Sequence, residues 1–162
     1  MANQSSSLET IRHFLAQKRI AIVGISRDPS SFSASLLKEF CRRGYDMVPV
    51  NPAATELYGR DCFAKVQEIL PPVAAVLLMT SPEVTESVVS DCAEAGVRLV
   101  WMHRGAGQGA VSAKAVALCQ SHGIEVVAGE CPLMFFPDTA AFHRLHGFIR
   151  KISGRYPRLA RA

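Results

Sequence analysis

The sequence predicts an α/β protein in which a doubly wound, mostly parallel sheet of five or six strands is flanked by helices. Short apolar, often β-branched runs alternate with stretches of helical apolar spacing along the 162 residues. The run at 73–79 is apolar throughout, as is typical of a parallel strand buried on both faces. The chain has the length of one domain, and the predicted strand order is the Rossmann-like 3-2-1-4-5-6.

The first third of the chain is predicted to form a helix, a strand and a second helix. The leading helix is expected over Leu8–Ala16, because its apolar residues share one side. The first strand is expected over 20–23, and a polar, serine-rich loop follows it. The second helix is expected over 33–43, where the apolar residues form one stripe and Gly44 stands just past the end.

The second strand contains a proline, which restricts its place in the sheet. Pro49 cannot donate a hydrogen bond to a neighbouring strand, so the strand at 47–50 is easier to accommodate beside a very short neighbour. We expect residues 60–63 to be that neighbour, at the edge of the sheet.

The second half continues the alternation of strands and helices. After the strand at 73–79, Ser81 is a candidate N-cap, Pro82 suits the first helical position and Glu83 suits the positive end of a helix. Gly96 follows this helix. The remaining predicted elements are strands at 97–101 and 124–127 and helices at 109–122 and 138–152.

Composition and charge limit the classes of partner. Apolar residues make up 49% and charged residues 20% of the chain, and the net charge of +4 suits an anionic partner. No dense Lys/Arg stripe precedes the tail, which argues against nucleic acid. No run approaches the ~18 apolar residues of a membrane span, and a signal-peptide pattern is missing. We therefore expect a cytoplasmic protein that does not bind a membrane, with an N-terminal helix at 1–18, a main domain at 19–134, and a C-terminal helix and tail at 135–162 packed on it.

The cysteines indicate reduced thiols rather than disulfides or a zinc site. Their number is odd and no two form a C-x-x-C pair. They are Cys41, Cys62, Cys92, Cys119 and Cys131.

The loop after the first strand has the composition of a phosphate site. In an open parallel sheet, ligands bind beyond the carboxyl ends of the strands, where the winding reverses. Gly24 allows the main chain to approach a ligand, the start of the next helix attracts phosphate, and Arg27 adds a fixed charge. The hydroxyl groups that can donate are those of Ser26, Ser30, Ser31 and Ser33. The alternative is an ordinary connecting loop with a capped helix and a solvated arginine.

The end of the second strand bears on which phosphorylated ligand binds. The dinucleotide fingerprint G-x-G-x-x-G is absent from the loop. An NAD site would carry an acid about 20 residues further on, at the end of the second strand. Asn51 and Pro52 stand there instead, so NAD is disfavoured and NADP stays open.

Four stretches carry a resemblance to a known family: IAIVGISRDPSSFS, YDMVPVNPAATELYGRDCF, the TSPE turn after AAVLLM, and VRLVWMHRGA. Their order and spacing resemble the small, single-domain CoA-binding protein family, which is similar to the CoA-binding domain of succinyl-CoA ligase and of ADP-forming acyl-CoA synthetases. GECPLM resembles the Asn-Cys-Pro-Gly segment of the ligase domain, without the glycine after the Cys-Pro pair. The resemblance spans residues 19–134.

This resemblance implies coenzyme A or acyl-CoA as the ligand, and it implies a set of contacting residues. The first loop and the helix after it would hold the ADP part, the end of the second strand would lie near the adenosine, and two later turns would form the walls of the cleft. The implied residues are Gly24, Ile25, Ser26, Arg27, Phe32, Ser33, Asn51, Pro52, Thr80, Ser81, Pro82, Met102, His103 and Arg104. Arg27 departs from the ligase pattern, which often has lysine, and 135–162 has no counterpart in that domain.

The histidines and serines do not form a convincing catalytic set. His103, beside Arg104, follows a strand, and a place in the cleft wall or on the surface is favoured over catalysis. His143 and His146 are three residues apart on the last predicted helix, where a solvated face is favoured over a metal site. Ser26 lacks the G-x-S-x-G elbow of a hydrolase. We therefore expect neither a catalytic residue nor a metal.

Two thiols are candidates for reaction with the thiol of coenzyme A. Cys131 precedes Pro132 at a bend, and a mixed disulfide is one interpretation. A small buried apolar residue is the favoured one. Cys62, on the expected edge strand, leaves the same two interpretations open.

The leading hypothesis is a module that binds coenzyme A or acyl-CoA without catalysis of its own. One alternative is an enzyme or enzyme subunit, either of the acyl-CoA ligase type with a separate ATP-grasp partner or an NADP-dependent oxidoreductase. Another is a regulatory protein that responds to acyl-CoA through its apolar C-terminal segment. The run PLMFFP at 132–137 packs under the last helix, covers the acyl path or forms a homodimer contact, and packing is the favoured interpretation.

Overall fold

The computed structural model describes residues 6–105 and 108–137, which build one parallel sheet with helices on both faces. The strands are β1 (Arg19–Val23), β2 (Asp46–Val50), β3 (Glu56–Leu57), β4 (Arg60–Asp61), β5 (Ala75–Leu78), β6 (Leu99–Met102) and β7 (Glu125–Ala128). The helices are α1 (Leu8–Ala16), α2 (Phe32–Arg42), α3 (Pro82–Glu94) and α4 (Ala113–Ser121), with 3-10 helices at Val66–Glu68 and Pro132–Phe135.

The main sheet has five strands in the order β2-β1-β5-β6-β7, and each neighbouring pair is parallel. This confirms the predicted α/β fold class. The winding reverses between β1 and β5, where the chain returns to the middle of the sheet after completing β2 at the edge. Pro49 lies in β2, so the missing donor falls on an edge strand.

The sixth strand expected at 60–63 does not form in the main sheet. Tyr58 and Gly59 have φ values of 55° and 71°, so the chain reverses there and Arg60–Asp61 pairs antiparallel with Glu56–Leu57. Arg60 reaches β2 through its side chain, which donates to the Asp46 carboxylate at 3.2 Å. Phe63 is the residue that pairs with β2 through its main chain. Its N–H donates to the Pro49 carbonyl at 3.1 Å, and its carbonyl accepts from the Asn51 N–H at 2.9 Å.

Alternate residues of the central strands pack into two separate cores. Val76 and Val100 face the core under α3 and α4, and both are fully buried. Leu77 and Trp101 face the opposite core, which α1 and α2 cover. This alternation explains why β5 and β6 are apolar throughout.

Serine caps set where two of the helices begin. The Ser31 hydroxyl accepts from the Ala34 N–H at 3.1 Å, so α2 begins at Phe32, one residue before the predicted start. The Ser112 hydroxyl accepts from the Ala115 N–H at 3.3 Å, so α4 begins at Ala113 rather than at 109. Gly109 instead lies in a tight turn, where an added Cβ would be 2.5 Å from the His103 carbonyl oxygen.

The first helix has the predicted bounds and lies beside the edge strand β7. The Ala128 N–H donates to the Ser6 hydroxyl at 2.8 Å, which satisfies one group on the open edge of the sheet. The helix predicted at 138–152, together with His143 and His146, lies outside the described residues. None of the described helices combines the length and apolar character needed to span a membrane.

Candidate functional site

A cavity of about 550 Å³ opens at the carboxyl ends of β1, β2 and β5, beside the point where the winding reverses. The loop after β1, the end of β2 and the turn after β5 form one part of its wall. The remainder comes from residues 64–66 and from α3. Of the predicted site residues, those that line the cavity are Gly24, Ile25, Ser26, Arg27, Asn51, Pro52 and Thr80.

Gly24 is required by packing within the protein. Its φ is +83°, and an added Cβ would lie 2.8 Å from Thr80 Cγ2 and 3.0 Å from the Met79 carbonyl carbon. The sequence suggested that this glycine allows a ligand to approach. The structure gives it another reason, which is the contact between the loop after β1 and the turn after β5.

The serine hydroxyls of the loop hydrogen-bond within the loop. The Ser33 hydroxyl accepts from the Ser26 N–H at 3.0 Å, and the Ser26 hydroxyl accepts from the Asp28 N–H at 3.1 Å. Ser30 donates to Asp28 through its hydroxyl at 2.7 Å and its N–H at 2.9 Å, and Ser31 caps α2. These hydroxyls therefore hold the loop in shape.

Four main-chain N–H groups in and after this loop have no acceptor among the described residues. They belong to Ile25, Arg27, Phe32 and Ser33. The last two are the first residues of α2, whose N–H groups carry the partial positive charge of the helix end. Ile25 and Arg27 line the cavity, whereas Phe32 and Ser33 do not. Free N–H groups in a loop and at a helix start suit a phosphate group.

The charges at the cavity are mixed. Arg27 and Lys65 line it, are exposed, and make no ion pair with another described residue. Asp91 also lines it, and its carboxylate accepts from the Gln67 side-chain amide at 2.8 Å. Asp28 lies in the loop, where hydrogen bonds from Ser30 lower the pKa of its carboxyl group and keep it ionised at neutral pH. The two cations lie on different walls.

Asn51 and Tyr58 attach the end of β2 and the β3–β4 hairpin to the loop after β1. The Asn51 amide donates to the Ile25 carbonyl at 2.9 Å, and its oxygen accepts from the Ala53 N–H at 2.8 Å. The Tyr58 hydroxyl donates to the Ser26 carbonyl. Asn51 therefore lines the cavity while both ends of its side chain are occupied by the main chain.

The turn after β5 contributes mainly through Thr80. The hydroxyls of Thr80 and Thr85 are 2.7 Å apart, which fixes the turn against α3. Pro82 is the first residue of α3, as predicted, and Ser81 precedes it as an exposed N-cap that makes no side-chain capping hydrogen bond. Neither Ser81 nor Pro82 lines the cavity.

The predicted residues after β6 lie away from the cavity. The Met102 side chain is fully buried in the core, because β6 extends to Met102, one residue beyond the predicted end. The His103 ring lies 5.2 Å from that of Phe32, and its buried Nε2 has no hydrogen-bond partner among the described residues. Burial lowers the pKa of His103 to about 4, so the imidazole is neutral at pH 7. Arg104 is exposed and lies against Gly129.

The two candidate thiols are not activated. Burial raises the pKa of both Cys131 and Cys62, which disfavours the nucleophilic thiolate. The described residues contain no group of three or more His, Cys, Asp or Glu side chains that is placed to hold a metal ion.

The sequence analysis missed one wall of the cavity. Lys65, Val66, Val84, Val88 and Asp91 all line it. The spacing of the apolar residues in α3 predicts one buried stripe, but Val89 and Cys92 are buried while Val84 is 50% exposed. An apolar stripe too wide for the core is the sequence signal that would have identified this wall.

Comparisons with known proteins give a family model and a relative that each match most of the chain. A family model described as a CoA binding domain matches residues 18–137. An uncharacterized protein of Bacillus subtilis (strain 168), YneT, is 30% identical over 129 residues, which cover 79% of this chain and 93% of that protein.

Two solved structures share this fold, and in one of them the matching region is part of a larger protein. A hypothetical protein from Pyrococcus horikoshii OT3 is similar with a TM-score of 0.71 and 30% identity, over 76% of this chain and 85% of that one. The dinucleotide-forming acetyl-coenzyme A synthetase 1 of Ca. Korarchaeum cryptofilum, solved with phosphate and ADP, is similar with a TM-score of 0.62 and 27% identity. That match covers 73% of this chain and 26% of the synthetase.

Proposed function

The chain belongs to the CoA-binding domain family, and from this we propose that it binds coenzyme A or acyl-CoA in the cavity at the ends of β1, β2 and β5, without catalysis of its own. The observation that carries the proposal is that the loop after β1 and the start of α2 leave four main-chain N–H groups without an acceptor among the described residues. Two of these groups belong to Ile25 and Arg27, which line the cavity. A pyrophosphate is the part of coenzyme A that needs such donors.

Main-chain groups of the loop and of the start of α2 would bind the pyrophosphate together. The N–H groups of Ile25 and Arg27 donate from the loop, and those of Phe32 and Ser33 donate from the start of α2. The Arg27 guanidinium adds a positive charge and can donate two parallel N–H hydrogen bonds to one phosphate group. The apolar side chains of Val84 and Val88, on the far wall, suit the face of a nucleobase.

Bound coenzyme A would supply a thiol that carries acyl groups, and this chain would hold and orient the molecule. The two side chains most able to act as a base or a nucleophile, His103 and Cys131, support a binding role rather than catalysis. Burial lowers the pKa of His103 to about 4, which makes it a weak base, and burial opposes ionisation of Cys131.

A calorimetric titration tests this proposal. Arg27→Ala is expected to weaken coenzyme A binding by about 10- to 100-fold, or roughly 1–3 kcal/mol, because a charge-assisted contact is lost. Arg98→Ala is the matched control, since Arg98 is also exposed and lies at the opposite end of the sheet. Equal affinities in wild type and Arg27→Ala, or tighter binding of NADP than of coenzyme A, would contradict the assignment.

A second candidate function is the CoA-binding part of an acyl-CoA ligase-type enzyme. The similarity to about a quarter of the acetyl-coenzyme A synthetase favours it, because this fold there belongs to a larger chain. The test is affinity purification of the tagged full chain followed by mass spectrometry. Stoichiometric recovery of an ATP-grasp protein would support the subunit role, and recovery of the chain alone would support the stand-alone module.

A further inference from the structure

Residues 64–66, which line the cavity together with the loop after β1, include a lysine whose main chain is held near the sheet. Phe63 pairs with the end of β2 through hydrogen bonds of 3.1 Å to Pro49 and 2.9 Å from Asn51. Lys65 stands two residues further along, at the start of the 3-10 helix Val66–Glu68, and lines the cavity. A lysine is therefore held beside the carboxyl end of β2.

In nucleotide-binding sheets of this kind, the ribose lies at the end of β2. An acidic side chain there accepts from free ribose hydroxyls, whereas a cationic side chain there binds a phosphate on the ribose. Asn51 is uncharged and already hydrogen-bonds the main chain at Ile25 and Ala53, so it does not supply the acid that holds free ribose hydroxyls. Lys65 is exposed and makes no ion pair with another described residue. The charge available at this position is positive.

The second cation of the cavity is already assigned to another part of the ligand. Arg27 belongs to the loop after β1, where the proposed function puts the pyrophosphate, and Lys65 lies on the separate wall formed by residues 64–66. The carboxylate of Asp91 on the same wall is engaged by the Gln67 amide at 2.8 Å. Two cations on two walls suit a ligand with phosphate at two places.

We propose that Lys65 binds the phosphate on the ribose of the ligand, so that the protein selects coenzyme A over 3′-dephospho-coenzyme A. This inference rests on the proposed function, which gives the ligand class, and it adds the residue that determines specificity within that class. Lys65 acts here as a point charge at the end of a flexible side chain, and it therefore distinguishes the number of phosphates rather than the exact position of one.

The test is a cycle of two ligands and two proteins, measured by isothermal titration calorimetry. Wild type is expected to bind coenzyme A at least 10-fold more tightly than 3′-dephospho-coenzyme A. Lys65→Met keeps the apolar stem and removes the charge. It is expected to weaken coenzyme A binding by about 10-fold and to leave binding of the dephosphorylated ligand unchanged. Lys114→Met, at an exposed lysine outside the cavity, should leave both affinities as in wild type.

The outcomes separate this inference from the proposed function. If wild type binds both ligands equally and Lys65→Met changes neither affinity, the role of Lys65 is overturned and coenzyme A binding stands. If Lys65→Met weakens both ligands by the same factor, Lys65 acts on the pyrophosphate or on the fold, and selectivity by this residue is overturned. Failure of wild type to bind either ligand would overturn both.

Discussion

The loop after β1 and the loop after β6 leave the same edge of the sheet, yet they present opposite surfaces. In the first, serine hydroxyls accept from main-chain N–H groups of the loop, and four other main-chain N–H groups have no acceptor among the described residues, two of them on residues that line a cavity. In the second, His103 is buried under Phe32, and Gly109 folds tightly against the His103 carbonyl. The comparison teaches that polar residues after a strand do not by themselves make a site. What matters is which polar groups the loop leaves unsatisfied.

The largest effect is expected at Gly24, where the shape of the first loop depends on a contact with the turn after β5. Gly24→Ala should lower the free energy of unfolding by about 3–4 kcal/mol, since it combines a left-handed backbone with a Cβ 2.8 Å from Thr80 Cγ2. Gly44 has the same φ of +83° and no atom within 4 Å of an added Cβ. Gly44→Ala should therefore cost only about 1–2 kcal/mol.

Urea unfolding of the two variants measures the difference. Equal losses would mean that the backbone conformation alone accounts for Gly24, and that the contact with the turn after β5 contributes nothing.

A smaller effect is expected in the second loop, from the pH dependence of His103. The pKa of its buried imidazole is about 4, whereas an unfolded chain has the usual value of about 6.5, so the unfolded state binds more protons between these values. The contribution of His103 to stability is complete above pH 6.5 and is lost as the pH falls to 4, by up to about 3 kcal/mol.

Chemical denaturation from pH 7 to pH 4 tests this expectation, with His103→Phe as the variant that cannot titrate. The slope of unfolding free energy against pH should be shallower in the variant than in wild type. Parallel slopes would indicate that His103 titrates normally and that Phe32 does not shield it from water.

Local sequence signals predicted most of the fold. Helical spacing, Pro82 and the apolar run at 73–79 predicted the alternation of strands and helices. The five strands that form follow the order predicted for a doubly wound sheet. The predicted edge strand at 60–63 does not form because Tyr58 and Gly59 reverse the chain after β3. Residue type alone does not indicate that a tyrosine adopts a left-handed backbone conformation.

Some of the predicted site residues line the cavity and others do not, and the differences have physical causes. The loop, Asn51, Pro52 and Thr80 were found because the ends of neighbouring parallel strands meet. Lys65 was missed because a single bridge between Val50 and Phe63 brings it to the cavity. The serine hydroxyls were predicted as ligand donors, and a sequence does not reveal that they also hydrogen-bond inside the loop.

Amide chemical shifts test the central claim most directly, because the claim concerns main-chain N–H groups. A titration of ¹⁵N-labelled full chain with coenzyme A, followed by heteronuclear NMR, should shift the amide resonances of Ile25, Arg27, Phe32 and Ser33 most strongly. Those of His103 and Arg104 should shift little. The account would be contradicted if coenzyme A bound with the largest shifts after β6 and with the four loop amides unchanged.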